Sequence, residues 1–202
     1  MKNDRTSGTN SVFKTIGATN RASSARELND YYATDPRAID KLLEVQEPFR
    51  KVWEPACGGG HLSERLTELG YYVCSSDIVD RGYRRLSFVA DFLRRKTAPF
   101  QAPYDIITNP PYKYAKEFVL KALELLPQGC RCFMFLKLTF LEGKARLEEL
   151  FYKFPPKAVH VLSERLQCAK NGDFDKYKNG AVAYAWFVWQ KGYAGKTVID
   201  WI

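Results

Sequence analysis

Short apolar runs alternate with amphipathic stretches over most of the chain. In the amphipathic stretches apolar residues recur at helical spacing, whereas the apolar runs have the length and aromatic content of strands. Predicted strands cover residues 52–54, 71–76, 104–108, 130–140, 158–162, 181–189 and, as a small edge strand, 197–202. Predicted helices cover residues 36–47, 61–69, 114–126 and a stripe at 147–151. This alternation predicts an α/β fold.

A glycine-rich turn, Gly58 to Gly60, joins the strand at 52–54 to the helix that begins at His61. Because glycines lack side chains, a ligand can closely approach the backbone amides of such a turn. Asp77 closes the next strand, roughly 20 residues past the glycines, where a carboxylate can accept hydrogen bonds from ribose hydroxyls. The spacing predicts a crevice for a cofactor that contains a ribose. The alternatives are a plain tight turn for the glycines and a solvent-facing strand end for Glu54.

The apolar run 104–108 leads directly into Asn109, Pro110, Pro111 and Tyr112. Two consecutive prolines fix φ and remove two backbone donors, so the chain must leave the sheet as a rigid loop. The amide and free backbone carbonyls can accept hydrogen bonds from an exocyclic amino group, and the tyrosine can stack on the planar base that carries it. The loop therefore predicts alkylation of an aromatic amine. Taken alone, it fits a proline turn with a capping asparagine.

Together these segments resemble the S-adenosylmethionine-dependent methyltransferases that act on amino groups of DNA bases, in particular the adenine-N6 class. Residues 54–60 (EPACGGG) are similar to the first motif of that family, and residues 109–112 (NPPY) to its catalytic motif in the adenine form. Residues 31–36 (YYATDP) are similar to its N-terminal cofactor motif, which encloses the methionine end of the ligand. Residues 90–93 (ADFL) fall where the family places an acidic contact to the adenine moiety of the cofactor. The run 29–36 also resembles the small adenine methylases of phages and prophages.

The resemblance implies a Rossmann-like class I methyltransferase fold, with a seven-stranded, mostly parallel sheet, one antiparallel strand and helices on both faces. It implies S-adenosylmethionine as the cofactor and the exocyclic N6 amino group of adenine in DNA as the methyl acceptor. The implied catalytic residues are Asn109, Pro110, Pro111 and Tyr112. The implied cofactor-binding residues are Tyr32, Thr34, Pro36, Glu54, Ala56, Cys57, Gly58, Gly60, Asp77, Ile78, Asp91, Phe92 and Asn109.

The expected reaction needs no strong general base, because the amino lone pair of adenine is delocalised into the ring. We expect the Asn109 side-chain oxygen and the Pro110 carbonyl to accept both amino hydrogens and so favour a pyramidal nitrogen. The base must be flipped out of a duplex to reach this loop. Three alternatives remain open: an RNA adenine as acceptor, a protein glutamine side chain as acceptor, and a nucleic-acid-binding relative without turnover.

Basic residues exceed acidic ones, 31 to 23, and the net charge of +8 makes a polyanion such as DNA a reasonable partner. The polar and basic segment 163–180 projects as one long loop if the strands that flank it pair antiparallel. Candidates there for contacts with the nucleic-acid backbone are Arg165, Lys170, Lys176 and Lys178. An ordinary exposed hairpin loop is equally compatible. With a single catalytic domain at 29–202, a homodimer or a partner chain is a further option for target recognition.

Residues 1–28 are rich in small and polar residues and are expected to form a flexible N-terminal arm. Five cysteines without a small-domain disulfide framework predict reduced, mostly buried thiols in a cytoplasmic protein. Cys130 and Cys132 lack the further Cys or His residues of a zinc site, so no metal is expected. The apolar segment 181–189 is too short to span a bilayer, and no membrane association is expected.

Lys137 is unusual because it lies within the apolar run 130–140. A lysine in such a run commonly marks a strand end or a site. The alternative is a lysine that extends its ammonium group to solvent while its stem stays in the apolar layer.

Overall fold

The computed structural model of the 202-residue chain describes residues 31–166, 168–170, 174 and 182–202. The predicted N-terminal arm, residues 1–28, lies outside the described residues. The described strands are β1 (Tyr32–Thr34), β2 (Lys51–Glu54), β3 (Tyr72–Asp77), β4 (Leu86–Val89), β5 (Asp105–Thr108), β6 (Arg131–Lys137), β7 (Ala158–Val161), β8 (Cys168–Lys170), β9 (Tyr184–Gln190) and β10 (Val198–Trp201). The described α-helices are α1 (Arg37–Val45), α2 (His61–Glu68), α3 (Ala115–Leu125) and α4 (Lys144–Arg146).

Eight of the described strands form one sheet in the order β10-β7-β9-β6-β5-β2-β3-β4. Neighbouring strands run parallel except at β9, which is antiparallel to both β6 and β7. The predicted mostly parallel sheet with one antiparallel strand is therefore confirmed. The sheet has one strand more than the predicted seven, because β4 (Leu86–Val89) pairs with β3 at one edge. The small edge strand expected at 197–202 pairs with β7 as β10.

Helices cover both faces of this sheet, as predicted, so its strands are apolar on both sides. Val52 and Phe133 belong to a buried cluster with residues of α1 and α2. The next residue of each strand, Trp53 and Met134, belongs to the cluster on the opposite face, which contains the buried side of α3. The alternation follows from strand geometry, in which successive side chains point to opposite faces.

The strand predicted at 130–140 is too long. β6 ends at Lys137, and a 3₁₀ turn, Leu138–Leu141, follows it. The apolar sequence continues, but the pairing with β9 ends where Lys137 lies opposite Tyr184, so the ladder has no further partner residues. The stripe predicted as helix at 147–151 is a π-helical turn, Leu147–Phe151, that continues α4.

A buried carboxylate fixes the start of β5, the strand that leads into the predicted catalytic loop. Asp105 accepts hydrogen bonds from the backbone N–H of Phe49 at 2.9 Å and of Arg131 at 2.7 Å, and from Arg131 Nη2 at 2.9 Å. Burial raises the pKa of Asp105, while the bonds from Phe49 and Arg131 lower it. This network ties the beginnings of β5 and β6 together, so their carboxyl ends are held side by side.

Candidate active site

The candidate active site lies at the carboxyl ends of β2, β3 and β5. β2 is flanked by β3 on one side and by β5 on the other. From β2 the chain first builds the sheet outward through β3 and β4, and then continues in the opposite direction from β5. Ligands of open α/β sheets bind in the crevice outside the carboxyl ends at such a switch point. The glycine turn follows β2, Asp77 ends β3, and Asn109 follows β5. The structure therefore brings the main predicted site residues to one edge of the sheet.

Asp77 holds the glycine turn in shape. Its carboxylate accepts hydrogen bonds from the backbone N–H of Gly58 at 2.8 Å and of Val79 at 3.1 Å. Gly58 and Gly60 have φ values of +54° and +83°, in the left-handed region that residues with a Cβ rarely adopt. Each carboxylate oxygen has a second lone pair. Asp77 can therefore support the turn and still accept hydrogen bonds from ribose hydroxyls.

The ring of Tyr31 lies directly on this turn. A Cβ atom added at Gly58 would come within 2.1 Å of Tyr31 Cε2, and one added at Gly59 within 2.7 Å of the hydroxyl oxygen. The hydroxyl is hydrogen-bonded to His61 Nδ1 at 3.0 Å, and the Arg81 guanidinium lies over the ring, 4.9 Å from its centroid. The turn thus accepts a flat group against its backbone. The sequence prediction included this tyrosine in the motif at 31–36 but named Tyr32, Thr34 and Pro36, and not Tyr31, as cofactor-binding residues.

Glu54, at the end of β2, is only 2% exposed. Its pKa is raised to about 8, chiefly by burial; a hydrogen bond from Ser63 Oγ lowers it, and the Asp77 carboxylate raises it. Ser63 Oγ in turn lies 2.6 Å from Ser75 Oγ. At neutral pH the carboxyl group is mostly protonated, and a cationic ligand group beside it would favour the carboxylate.

Replacing Glu54 with Gln should remove a pH dependence of folding. The folded pKa of about 8 is above the ordinary value of 4.5, so the folded protein binds more protons between these values and its free energy of unfolding falls as the pH rises. The stabilisation that the protonated Glu54 carboxyl contributes is fully present below about pH 4.5 and is lost as the pH rises towards about 8. Over this range the free energy of unfolding falls by at most about 1.4 kcal/mol per pH unit. Urea unfolding of the ligand-free protein across this range measures it.

Glu142→Gln, at an exposed glutamate, is the matched control and should keep the slope of the wild type. The same slope in Glu54→Gln and in the wild type would contradict the raised pKa.

The Asn109 amide is fixed on its nitrogen side and unpaired on its oxygen side. Nδ2 donates to Thr34 Oγ1 at 2.8 Å and to the Tyr32 carbonyl oxygen at 3.4 Å, and it lies 3.7 Å from Cys168 Sγ. Since a carbonyl oxygen can only accept, these contacts assign the nitrogen to this side. Oδ1 is buried and has no hydrogen-bond partner among the described residues. An unpaired buried acceptor costs about 1–3 kcal/mol, so a ligand N–H group that reaches this oxygen is favoured.

A two-stranded ribbon supplies the contacts to Asn109. β1 pairs antiparallel with β8, and Thr34 lies opposite Cys168. The β1 segment was predicted to enclose the cofactor, and its threonine is in direct contact with the predicted catalytic amide. β8 belongs to the segment 163–180, and this part of the segment folds back over the site. The strands that flank the segment, β7 and β9, do pair antiparallel.

Tyr112 lies beside Asn109 with its ring partly buried. Its hydroxyl is 3.3 Å from Cys168 Sγ, and its ring centroid is 6.3 Å from that of Tyr184. Burial, with smaller effects of Cys168 and Tyr184, raises the pKa of Tyr112 well above its ordinary value, so the hydroxyl stays protonated. Lys137 Nζ lies 4.7 Å from the Tyr112 ring centroid. The lysine that interrupts an apolar run in the sequence thus both ends a strand and lies at the site.

Two other predicted cofactor residues lie beyond β4. Asp91 accepts a hydrogen bond from Leu93 N–H at 3.0 Å and pairs with Arg94 at 3.3 Å. Phe92 is buried in the core, where its ring packs on Trp53 at a centroid distance of 5.1 Å. The Asp91 carboxylate thus caps the 3₁₀ turn Phe92–Arg94, while the Phe92 side chain packs in the core.

The remaining predicted cofactor residues surround the turn. Cys57 is buried, and its N–H donates to the Ser76 carbonyl oxygen at 3.0 Å. Ala56 is partly buried against the core. Ile78, which follows β3, is 55% exposed, and Pro36 directly precedes α1.

The predicted nucleic-acid contacts are only partly visible. Arg165 is exposed between β7 and β8, and Lys170 is the last residue of β8. Lys176 and Lys178 lie outside the described residues.

All five cysteines are free thiols, and four of them are buried. Within residues 31–166 and the other described segments, no three His, Cys, Asp or Glu side chains form a group that could hold a metal ion. No helix in the same part of the chain is long and apolar enough to cross a membrane.

Comparison with known proteins finds similarity in structure. No protein-family model matches the chain, and no curated protein matches it. A solved modification subunit, described as part of a type I restriction enzyme from Vibrio vulnificus, is similar with a TM-score of 0.59 and 15% identity, over 87% of this chain and 48% of that chain. The 23S rRNA methyltransferase ErmE is similar with a TM-score of 0.55 and 20% identity, over 80% of this chain and 70% of that chain.

A protein from Listeria monocytogenes, described as a class I S-adenosylmethionine-dependent methyltransferase, is similar with a TM-score of 0.51 and 13% identity. The match covers 82% of this chain and 62% of the Listeria protein, so the chain spans less than two thirds of that protein. At such identities the comparison concerns architecture, and the mostly parallel sheet with helices on both faces agrees with it. The chain has the Rossmann-like α/β fold of the class I methyltransferases.

Proposed function

We propose that the protein transfers a methyl group from S-adenosylmethionine to the exocyclic N6 amino group of adenine in DNA, with the base flipped into the pocket at residues 109–112. One observation carries the proposal. Asn109 Oδ1 is buried without a partner among the described residues, while Nδ2 is fixed by Thr34 and the Tyr32 carbonyl. An acceptor held in this way fits a ligand that donates N–H bonds, and an exocyclic amino group has two such hydrogens.

The residues of the pocket address the chemical difficulty of the acceptor. The amino nitrogen of adenine is a poor nucleophile, because its lone pair is delocalised into the ring. Hydrogen bonds from both amino hydrogens, to Asn109 Oδ1 and to the Pro110 carbonyl oxygen, favour a pyramidal nitrogen with a localised lone pair. The Asn109 amide is already oriented by Thr34, so little reorganisation is needed when the base arrives.

Tyr112 offers the base an aromatic surface next to these acceptors. Base stacking on an aromatic side chain is worth about 1–3 kcal/mol, which partly offsets the cost of turning a base out of a duplex. Lys137 Nζ lies over the Tyr112 ring, so stacking on that face requires the ammonium group to move aside.

The glycine turn fits S-adenosylmethionine, which supplies an electrophilic methyl group on a sulfonium when bound. The glycines accept a flat group against their backbone, and Asp77 has lone pairs left for ribose hydroxyls. The buried Glu54 carboxyl can pair with a cationic group such as the α-ammonium, and that group would favour the ionised carboxylate against the burial that raises its pKa to about 8. Because the Tyr31 ring lies on Gly58 and Gly59, it must move for a cofactor to reach them.

Nucleic acid is favoured over protein as the acceptor. A net charge of +8 suits a polyanion. One similar structure is by name an rRNA methyltransferase, and another is by name a modification subunit of a restriction enzyme. The rRNA enzyme makes an RNA adenine the second candidate acceptor.

Incubation with labelled S-adenosylmethionine and a mixture of DNA, RNA and protein, followed by separation of the three, tests the proposal. We expect label in DNA and, after digestion, a methylated deoxyadenosine. Label in RNA alone would move the acceptor to an RNA adenine, and label in protein alone would refute a nucleic-acid acceptor. No label, together with a thermal shift on adding S-adenosylhomocysteine, would identify a binding protein without turnover.

A further inference from the structure

Two lysines beside the candidate site lie over tyrosine rings. Lys137 Nζ is 4.7 Å from the centroid of Tyr112, and Lys113 Nζ is 5.0 Å from the centroid of Tyr114. Within the part of the chain that the structure describes, neither lysine forms an ion pair with a carboxylate. Among the other described lysines, Lys41, Lys116, Lys121 and Lys144 each pair with a glutamate, whereas others, such as Lys51 and Lys153, do not. The two ammonium groups beside the site are therefore available to an anion from outside the chain.

Both lysines lie at the edge of the sheet that carries the candidate active site. Lys137 is the last residue of β6, and Lys113 lies in the 3₁₀ turn Tyr112–Tyr114 that follows β5. β5 and β6 are adjacent parallel strands, so their carboxyl ends meet there. Lys113 is exposed, and Tyr114 is 43% exposed. This rim can therefore contact a macromolecule whose target group enters the pocket.

We propose that Lys113 and Lys137 bind the phosphates that flank the target nucleotide, so that the acceptor is a polynucleotide and not a protein side chain. The inference rests on the proposed function of the same pocket. A lysine binds phosphate as a point charge and fixes the register of a strand without reading its sequence. Tyr114 gives a neighbouring base a flat surface on which to stack. The lysines thus hold the strand while Asn109 receives the amino group.

The salt dependence of DNA binding measures this contact without any methyl transfer. Fluorescence anisotropy with a labelled single-stranded oligonucleotide gives the dissociation constant from about 50 to about 200 mM salt. Lys113→Ala and Lys137→Ala should each reduce the slope of log affinity against log salt by about 0.7, and the double variant by about 1.4. Lys137→Arg keeps the charge and should keep the slope. Lys51→Ala is the matched control, because this exposed lysine begins β2 at the opposite edge.

An oligonucleotide with neutral methylphosphonate linkages identifies the group that is bound. The Lys113→Ala and Lys137→Ala variants should bind this neutral oligonucleotide as the wild type does, since it lacks the phosphate charges that the lysines would contact. Unchanged slopes on the natural oligonucleotide in both single variants and in the double variant would overturn the inference. If Lys137→Ala lowers the melting temperature, two other variants still test phosphate binding through the salt slope. They are Lys113→Ala, at an exposed position, and Lys137→Met, which keeps the side-chain stem.

The result is separable from that of the methyl-transfer test. A wild type that methylates DNA but whose lysine variants keep the full salt slope would contradict the lysine contacts alone. A wild type that labels no DNA but shows the lysine-dependent slope would contradict the proposed reaction and leave the phosphate contacts standing.

Discussion

Asn109→Ala should lower the rate of methyl transfer to DNA by about 10²–10³-fold, the loss typical of removing one preorganised hydrogen-bonding group that acts in the transition state. The alanine removes Oδ1, the buried acceptor without a partner among the described residues, and with it one of the two groups that make the amino nitrogen pyramidal. The affinity for S-adenosylmethionine should change only a few-fold, because Glu54 and Asp77 stay in place. Single-turnover kinetics with DNA and calorimetric titration of the cofactor measure the two quantities separately.

Variants of Thr34 provide the control for orientation. Thr34 is buried, and its Oγ1 accepts from Asn109 Nδ2 at 2.8 Å. Thr34→Val keeps the shape but removes this acceptor, so the amide loses its fixed orientation and the rate should fall, whereas Thr34→Ser should restore it. Asn109→Asp keeps an acceptor for the amino group but cannot donate to the Tyr32 carbonyl, so its rate should lie between those of the wild type and Asn109→Ala. A normal rate in Asn109→Ala would refute the role of the amide.

Local sequence was sufficient to predict the elements of the candidate site that are continuous in the chain. A strand, a glycine turn and a helix follow one another without interruption in residues 51–68, and their signals are the spacing of apolar residues and the absence of side chains at the turn. The loop at 109–112 could also be predicted from local sequence, because its two prolines restrict the backbone independently of the rest of the chain. Parallel pairing then brings the two segments together, since the carboxyl ends of parallel strands share one edge.

Contacts between segments that are distant in the chain could not be predicted from the sequence. β1 and β8 have three residues each, too few for an alternating pattern, so their pairing over Asn109 has no periodic signal. Tyr31 on the glycines and Lys137 over Tyr112 depend on how loops close in three dimensions. The end of β6 was placed too late for a related reason. Its apolar sequence continues, and the limit is set by where β9 begins, at Tyr184.

Asp77→Ala should weaken the binding of S-adenosylmethionine by about 10–100-fold, which corresponds to the loss of about 1.5–3 kcal/mol for a hydrogen bond to a charged group. The carboxylate ends β3 beside the glycine turn, where it can accept from the ribose hydroxyls. Asp80→Ala is the matched control, because this exposed aspartate lies three residues further along the same loop and accepts a hydrogen bond from Gly82 N–H at 2.8 Å. Titration calorimetry with S-adenosylhomocysteine measures both variants, and an unchanged dissociation constant in Asp77→Ala would remove this residue from the ribose site.

The two roles of Asp77 can be distinguished with an altered ligand. Because its carboxylate also accepts from Gly58 and Val79 N–H, the alanine variant could weaken binding by deforming the turn alone. A cofactor analogue that lacks the ribose 2′-hydroxyl closes a double-mutant cycle between protein and ligand. If Asp77 bonds that hydroxyl, removing both partners costs little more than removing either one. If it only shapes the turn, the two losses add, and the carboxylate supports the cofactor site through the backbone of the glycines.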